Sequence, residues 1–189
     1  DAFSVFDCCG KPIAELGLEE KETVILERLN KKLLEAGVRE VVMVCPNCYA
    51  FLKGRLSIPV ISIYEKLQEL GLGAVIMEEQ NIFLPCPDRE KKELLRQIRP
   101  FLGADPKILS DANCCGLGGC AAVKEPEIAG QMAKSACSIQ NASVYCASCA
   151  GNLTRAGGKN IKHLLVQILG REETPDVGHS LWNRIRAGR

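Results

Sequence analysis

Nine cysteines fall into two similar sets. An adjacent pair followed by glycine occurs twice, as Cys8-Cys9-Gly10 and Cys114-Cys115-Gly116, and each pair is followed by a Cys-x-x-Cys, Cys45-Pro46-Asn47-Cys48 and Cys146-Ala147-Ser148-Cys149. The second set is the fuller, because Cys86 precedes its pair and brings five sulfurs to one group against four in the first. Thiolates grouped in this way are the ligands of iron–sulfur clusters. A single zinc ion is satisfied by four thiolate or imidazole donors, commonly from two Cys-x-x-Cys knuckles. Each set here has one knuckle plus an adjacent pair. Adjacent cysteines reach one small ion awkwardly but can bind two neighbouring metals, so a polynuclear iron–sulfur centre is the expected occupant and zinc the alternative. The candidate metal ligands are therefore Cys8, Cys9, Cys45, Cys48, Cys86, Cys114, Cys115, Cys146 and Cys149. Gly116, Gly118 and Gly119 remove bulk beside the second pair and let backbone N–H groups approach sulfide.

Other residues carry less. Cys120 follows the glycines and could lie near a cluster, whereas Cys137 shares a helical face with Ala129 and Ala133 and reads as packing. His163 sits among leucines and reads as a hydrogen-bonded structural residue. The run from Gly116 to Ala121 matches a G-x-G-x-x-A dinucleotide fingerprint, yet Tyr145 and Cys146 stand where the next strand should end in an acidic residue. No paired carboxylates and no Ser/His/Asp order offer hydrolytic machinery. Cys45-Pro46-Asn47-Cys48 could also exchange dithiol for disulfide, but its repetition beside adjacent cysteines favours ligation.

Secondary elements must bring these cysteines together. Between pair and Cys-x-x-Cys, each half shows a helical pattern, Ile25/Leu29/Leu33/Ala36 in one and Ile128/Met132/Ala136 in the other, where Pro126 suits a first helical position. A short β-prone run follows in each half, Val41–Val44 or Ser143–Tyr145, and ends at the Cys-x-x-Cys. Both halves then continue through a polar turn into an apolar-striped helix, Ile63/Tyr64/Leu67/Leu70 and Ile161/Leu164/Leu165/Ile168. Ahead of the second pair, Ile82–Leu84 reads as a strand ending at Cys86, residues 94–102 as a helix, and Lys107–Leu109 as another strand. The first half lacks this leader, so its fifth cysteine is expected upstream of Asp1 and the chain reads as a fragment. Alternating strands and helices predict an α/β fold with mostly parallel sheets and the cysteines at strand carboxyl ends. Two similar halves, 1–78 and 79–170, are expected to pack face to face about a pseudo-twofold, with 171–189 as a carboxyl tail. In that tail Leu181, Trp182 and Ile185 share one side of a short helix, which caps the core or docks onto a partner subunit.

Composition agrees. The chain has 189 residues, 47% of them hydrophobic, enough for a core without disulfide staples. Its 11 cysteines fall below the ~8–10% that marks a disulfide scaffold, and their odd number leaves one thiol unpaired. No transmembrane segment and no signal peptide are visible, so a reducing cytoplasmic compartment is expected. A net charge of +1, from 24 basic and 23 acidic residues interspersed, gives no footprint for nucleic acid.

The order Cys86 … Cys114-Cys115-Gly116-Leu117-Gly118-Gly119 … Cys146-Ala-Ser-Cys149, preceded by Cys8-Cys9-Gly10 … Cys45-Pro-Asn-Cys48, resembles the cysteine-rich CCG domain family over nearly all of the chain to about residue 170. That family includes the heterodisulfide reductase B subunit and iron–sulfur subunits linked to glycolate, lactate and glycerol-3-phosphate oxidation. The resemblance implies that five cysteines hold a non-cubane [4Fe-4S] cluster, with Cys86, Cys114, Cys115, Cys146 and Cys149 matching a complete ligand set and Cys8, Cys9, Cys45 and Cys48 matching four members of another. It further implies an oxidoreductase subunit that receives electrons from a ferredoxin-like domain or flavoprotein subunit and passes them to a disulfide substrate or another acceptor. The reading from a different class is a noncatalytic interaction module braced by zinc or a cluster.

Overall fold

The computed structural model describes residues 2, 4–5, 7–110, 114–118, 121–136 and 139–187. Cys120, Cys137 and Gly119 lie outside them, so the expectations attached to those residues do too.

A one-turn helix α1 (Lys11–Ala14) follows Gly10, whose φ of 89° turns the chain out of the cysteine pair. Helix α2 (Glu19–Glu35) buries Leu29 and Leu33, and three acidic side chains occupy its first turn, where they complement the helix dipole. Strand β1 (Val41–Met43) then leads to α3 (Pro46–Leu52), β2 (Val60–Ser62) and α4 (Ile63–Glu69). The β1–β2 pair is parallel, with Val41 opposite Val60 and Met43 opposite Ser62.

The second half opens with β3 (Asn81–Ile82), a 3₁₀ turn at Cys86–Asp88, and α5 (Glu93–Ile98), and continues through β4 (Lys107–Ile108). After the second cysteine pair come α6 (Ala121–Lys124), α7 (Pro126–Ala136), β5 (Ser143–Val144), α8 (Ala147–Arg155), β6 (Lys162–His163) and α9 (Leu164–Ile168). Strands β3 to β6 form one sheet in the order β4-β3-β5-β6, with every pairing parallel. Parallel strands covered on both faces read as continuous apolar runs, and here Ile82, Phe83, Val144 and Tyr145 are all fully buried. The α/β class with mostly parallel sheets is thus present, and helix α7 begins at Pro126 as its sequence indicates.

Two short strands were not visible as patterns. Val60–Ser62 and Lys162–His163 run without a break into helices, so neither shows an alternation of its own. Ile161 consequently precedes a strand rather than opening the helix, which starts only at Leu164.

One large core unites residues of both repeats, with Tyr49, Leu52, Tyr64 and Leu67 packed alongside Ile82, Ile98, Tyr145, Leu164 and Ile168. A smaller core beneath the second cysteine set contains Phe83, Val144 and Leu153 together with Cys115, Cys146 and Cys149. The tail forms α10 (Ser180–Ala187), but Trp182 is 66% and Ile185 45% exposed, so these two side chains do not cap the core. Among the described residues no helix is long and apolar enough to cross a membrane.

Candidate metal centre

Both Cys-x-x-Cys hooks sit at the same structural joint, a strand carboxyl end that becomes a helix amino end. Cys45 is the N-cap of α3 and Cys146 the N-cap of α8, each with extended backbone. Orphan N–H groups at a helix start point at whatever occupies the cap. In both hooks they point at sulfur: Asn47 and Cys48 N–H groups serve Cys45, and Ser148 and Cys149 N–H groups serve Cys146. The fourth residue of each hook, one turn further on, sets its thiol beside the first. That neighbouring thiol is the main reason Cys45 is held down to about 6 and Cys146 to about 7, with the backbone N–H groups adding to it and burial opposing it.

The adjacent pairs complete two matching constellations. Cys48 neighbours Cys45 and Cys9, and Cys149 neighbours Cys115 and Cys146, and these sulfurs together with burial push both thiols well above the ordinary thiol range. Cys9 is lowered to about 6 chiefly by Cys48, with help from the Lys11 N–H group. Leu117, which follows Gly116 as Lys11 follows Gly10, supplies the same N–H to Cys115.

The second constellation extends further. Cys86 Sγ lies 3.7 Å from Cys114 Sγ. Cys114 accepts at 3.3 Å from the Gly116 N–H, and the neighbouring Cys115 and Cys86 thiols together with that N–H hold it far below the usual thiol range. Five sulfurs from three separated stretches therefore follow one another as near neighbours, Cys86–Cys114–Cys115–Cys149–Cys146, with Cys86 and Cys114 in direct contact. They grade from exposed Cys86 through half-buried Cys114 to buried Cys115, Cys146 and Cys149. In the first set, Cys9, Cys45 and Cys48 are near neighbours, while Cys8 is exposed. The sulfurs of the second set follow one another along a strip, and among the described residues no three Cys, His, Asp or Glu side chains are preformed around one ion, zinc or any other.

Residues outside the cysteines fix this strip. Asp88, two positions after Cys86, is only 3% exposed and accepts the Leu94 and Leu95 N–H groups at 3.0 and 2.9 Å and the Tyr145 hydroxyl at 2.7 Å. One carboxylate thus caps α5 and ties the Cys86 turn to the residue preceding Cys146. Asn152 Nδ2 donates to the Cys115 carbonyl and anchors the second pair to α8. Gly116, at φ 80°, could not carry a Cβ, which would lie 2.5 Å from the Ala129 carbonyl oxygen. Sequence reasoning passed over Asp88 and Asn152, since a lone polar residue in a helical region gives no pattern.

The first repeat also reaches the second set. Asn47 Nδ2 approaches Cys146 Sγ at 3.9 Å, while its Oδ1 accepts from Lys11 Nζ at 2.5 Å. Cys45 is near enough for its thiolate charge to oppose that of Cys146. A cavity of about 530 Å³ opens on Cys86 between α3 and the 3₁₀ turn, with Tyr49, Lys53, Arg89, Lys91 and Glu93 in its wall. A second, of about 450 Å³, lies between α8 and the tail and is lined in part by Arg155, His163 and Asp176. Burial presses the His163 imidazole down to about 4.

A family model for the cysteine-rich CCG domain matches this sequence twice, over residues 3–53 and 80–154. The chain belongs to the cysteine-rich CCG domain family. Over 140 residues it is 32% identical to an iron–sulfur protein of uncharacterized function from Methanocaldococcus jannaschii, a similarity covering 68% of this chain. The matched region spans 28% of that relative's length. No solved structure matches the chain.

Proposed function

We propose that this protein is an iron–sulfur redox module in which Cys86, Cys114, Cys115, Cys146 and Cys149 hold a polynuclear cluster, a non-cubane [4Fe-4S] centre. The observation that carries the reading is the five-sulfur row, since five thiols along a strip exceed what one ion uses and match what several irons require. The donor set fits such a group: Cys114 and Cys146 are already held toward the thiolate, chiefly by the neighbouring Cys115 and Cys149 thiols and further by backbone N–H donors, as ligation demands. Burial of three of the five sulfurs excludes water from one end of the strip. Similarity to an iron–sulfur protein supports the same reading.

When bound, the cluster would supply one-electron chemistry, and the chain supplies ligand geometry, burial and donors. Cys86 is the exposed end, and the cavity that opens on it gives an acceptor access there. A disulfide is the acceptor class we assign, with electrons arriving from a ferredoxin-like or flavoprotein partner. Occupation of the first set by Cys8, Cys9, Cys45 and Cys48 belongs to the same proposal, with three of these sulfurs already near neighbours.

Anaerobic reconstitution followed by metal and acid-labile sulfide analysis tests the assignment. About four irons per occupied site, with matching sulfide, are expected, and Cys149→Ser is expected to lose most of that iron from the second site. Stoichiometric zinc without sulfide would instead make the protein a metal-braced interaction module.

A further inference from the structure

The first repeat contributes a buried hydroxyl that its own packing leaves unpaired. Tyr64 is 1% exposed, and among the described residues its hydroxyl has no hydrogen-bond partner. A buried hydroxyl left unpaired is costly, so one that persists calls for a partner. Repeat geometry shows that the fold itself does not need it. Met43 pairs with Ser62 in one sheet and Val144 with His163 in the other, each pair lying two residues before its hook and directly before a helix. Tyr64 is therefore the counterpart of Leu165, an apolar residue that is only partly buried against the same core.

The hydroxyl lies in the core that the residue preceding Cys146 also enters. Tyr64 lies within electrostatic reach of the Cys146 thiolate, and it packs in the same core as Tyr145, the residue before Cys146. The Tyr145 hydroxyl is already committed to Asp88. Asn47, also from the first repeat, approaches the same sulfur with its amide. Its counterpart in the second repeat is Ser148, between that hook's cysteines. One polar side chain of the first repeat thus approaches a sulfur of the second, and another lies within its electrostatic reach.

We propose that Tyr64 is a positioning residue of the second site, donating its hydroxyl hydrogen to a sulfur of the group held at Cys146 and Cys149, with Asn47 as the accompanying donor. The inference rests on the iron–sulfur reading above. Donors to cluster sulfur favour the more negative, reduced state and raise the reduction potential. One repeat then sets the potential of the site built by the other.

The test uses the anaerobically reconstituted full chain, wild type against Tyr64→Phe and Asn47→Ala. Tyr64→Phe is expected to keep its iron and sulfide while its midpoint potential falls. At a fixed poise the reduced-to-oxidised ratio drops about tenfold, which is about 59 mV for a one-electron couple. Pulsed electron–nuclear double resonance in H₂O and D₂O is expected to show an exchangeable proton coupled to the wild-type cluster that Tyr64→Phe lacks. A purely structural phenol would leave that signal untouched. If phenylalanine impairs assembly, Tyr64→Leu, carrying the side chain of Leu165, replaces it. An unchanged potential and an unchanged proton signal in a loaded variant overturn this inference and leave the redox module standing. Wild-type protein that takes up no iron and sulfide overturns both.

Discussion

At the scale of single residues, the cysteines are not equivalent, and pH should separate them. Cys45 is exposed and its pKa is lowered to about 6, so its folded-state thiolate persists down to that pH and is lost below it. In metal-free protein, its alkylation by iodoacetamide, followed by peptide mass spectrometry, is expected to rise about tenfold per pH unit to about 6 and then level off. An ordinary thiol would keep accelerating to about 8.5. Cys146 is lowered to about 7 yet buried, and is expected to alkylate far more slowly than Cys45 at pH 8. Sequence made the sulfur inventory legible because type and spacing alone define a ligand set. It could not tell that Cys8 is exposed while Cys9, Cys45 and Cys48 are near neighbours, which depends on how the pair folds against its own hook, nor that Asn47 approaches Cys146, which depends on how the halves meet.

Elements place the sulfurs through two devices, a strand running into a helix and a buried carboxylate. The strand-to-helix joint was readable, because Val41–Val44 and Ser143–Tyr145 both lead directly into a hook. The two- and three-residue strands after the hooks were not, because so short an element carries no period. Asp88 was hidden for another reason. Lys92, with φ 50°, stands at the N-cap of α5 without a capping side chain, and the cap comes instead from a residue one turn earlier. Asp88→Ala strips partners from two backbone N–H groups and the Tyr145 hydroxyl at once. Urea unfolding of the metal-free variant is expected to show a loss on the order of 3 kcal/mol. Because the same carboxylate joins the Cys86 turn to Tyr145, the variant is also expected to reconstitute less iron at equal protein concentration, whereas a change such as Glu90→Ala on the exposed surface is expected to alter neither.

The whole molecule is a mostly parallel α/β protein in which the repeats share a core. Tyr49, Tyr64 and Leu67 from one half lie against Tyr145, Leu164 and Ile168 from the other, so the second site is built on a scaffold that the first repeat helps to hold. Alternating strand and helix signals disclosed the class, and the recurring cysteines disclosed the repeat. The shared core was not legible, since a list of apolar positions does not say which face meets which. A group bound by the folded chain and not by the unfolded one stabilises the fold by mass action. The reconstituted protein is accordingly expected to melt at a higher temperature than the metal-free form in differential scanning calorimetry, and anaerobic chelation to reverse the gain.

The central claim is that several metal ions share the strip from Cys86 to Cys146. X-ray absorption at the iron edge of the anaerobically reconstituted protein tests it most directly. The expected spectrum contains an iron–sulfur shell and an iron–iron shell, with the iron–iron component lost from the second site in Cys115→Ser. A metal–sulfur shell with no metal–metal scattering, in protein whose sulfide content is nil, would contradict it.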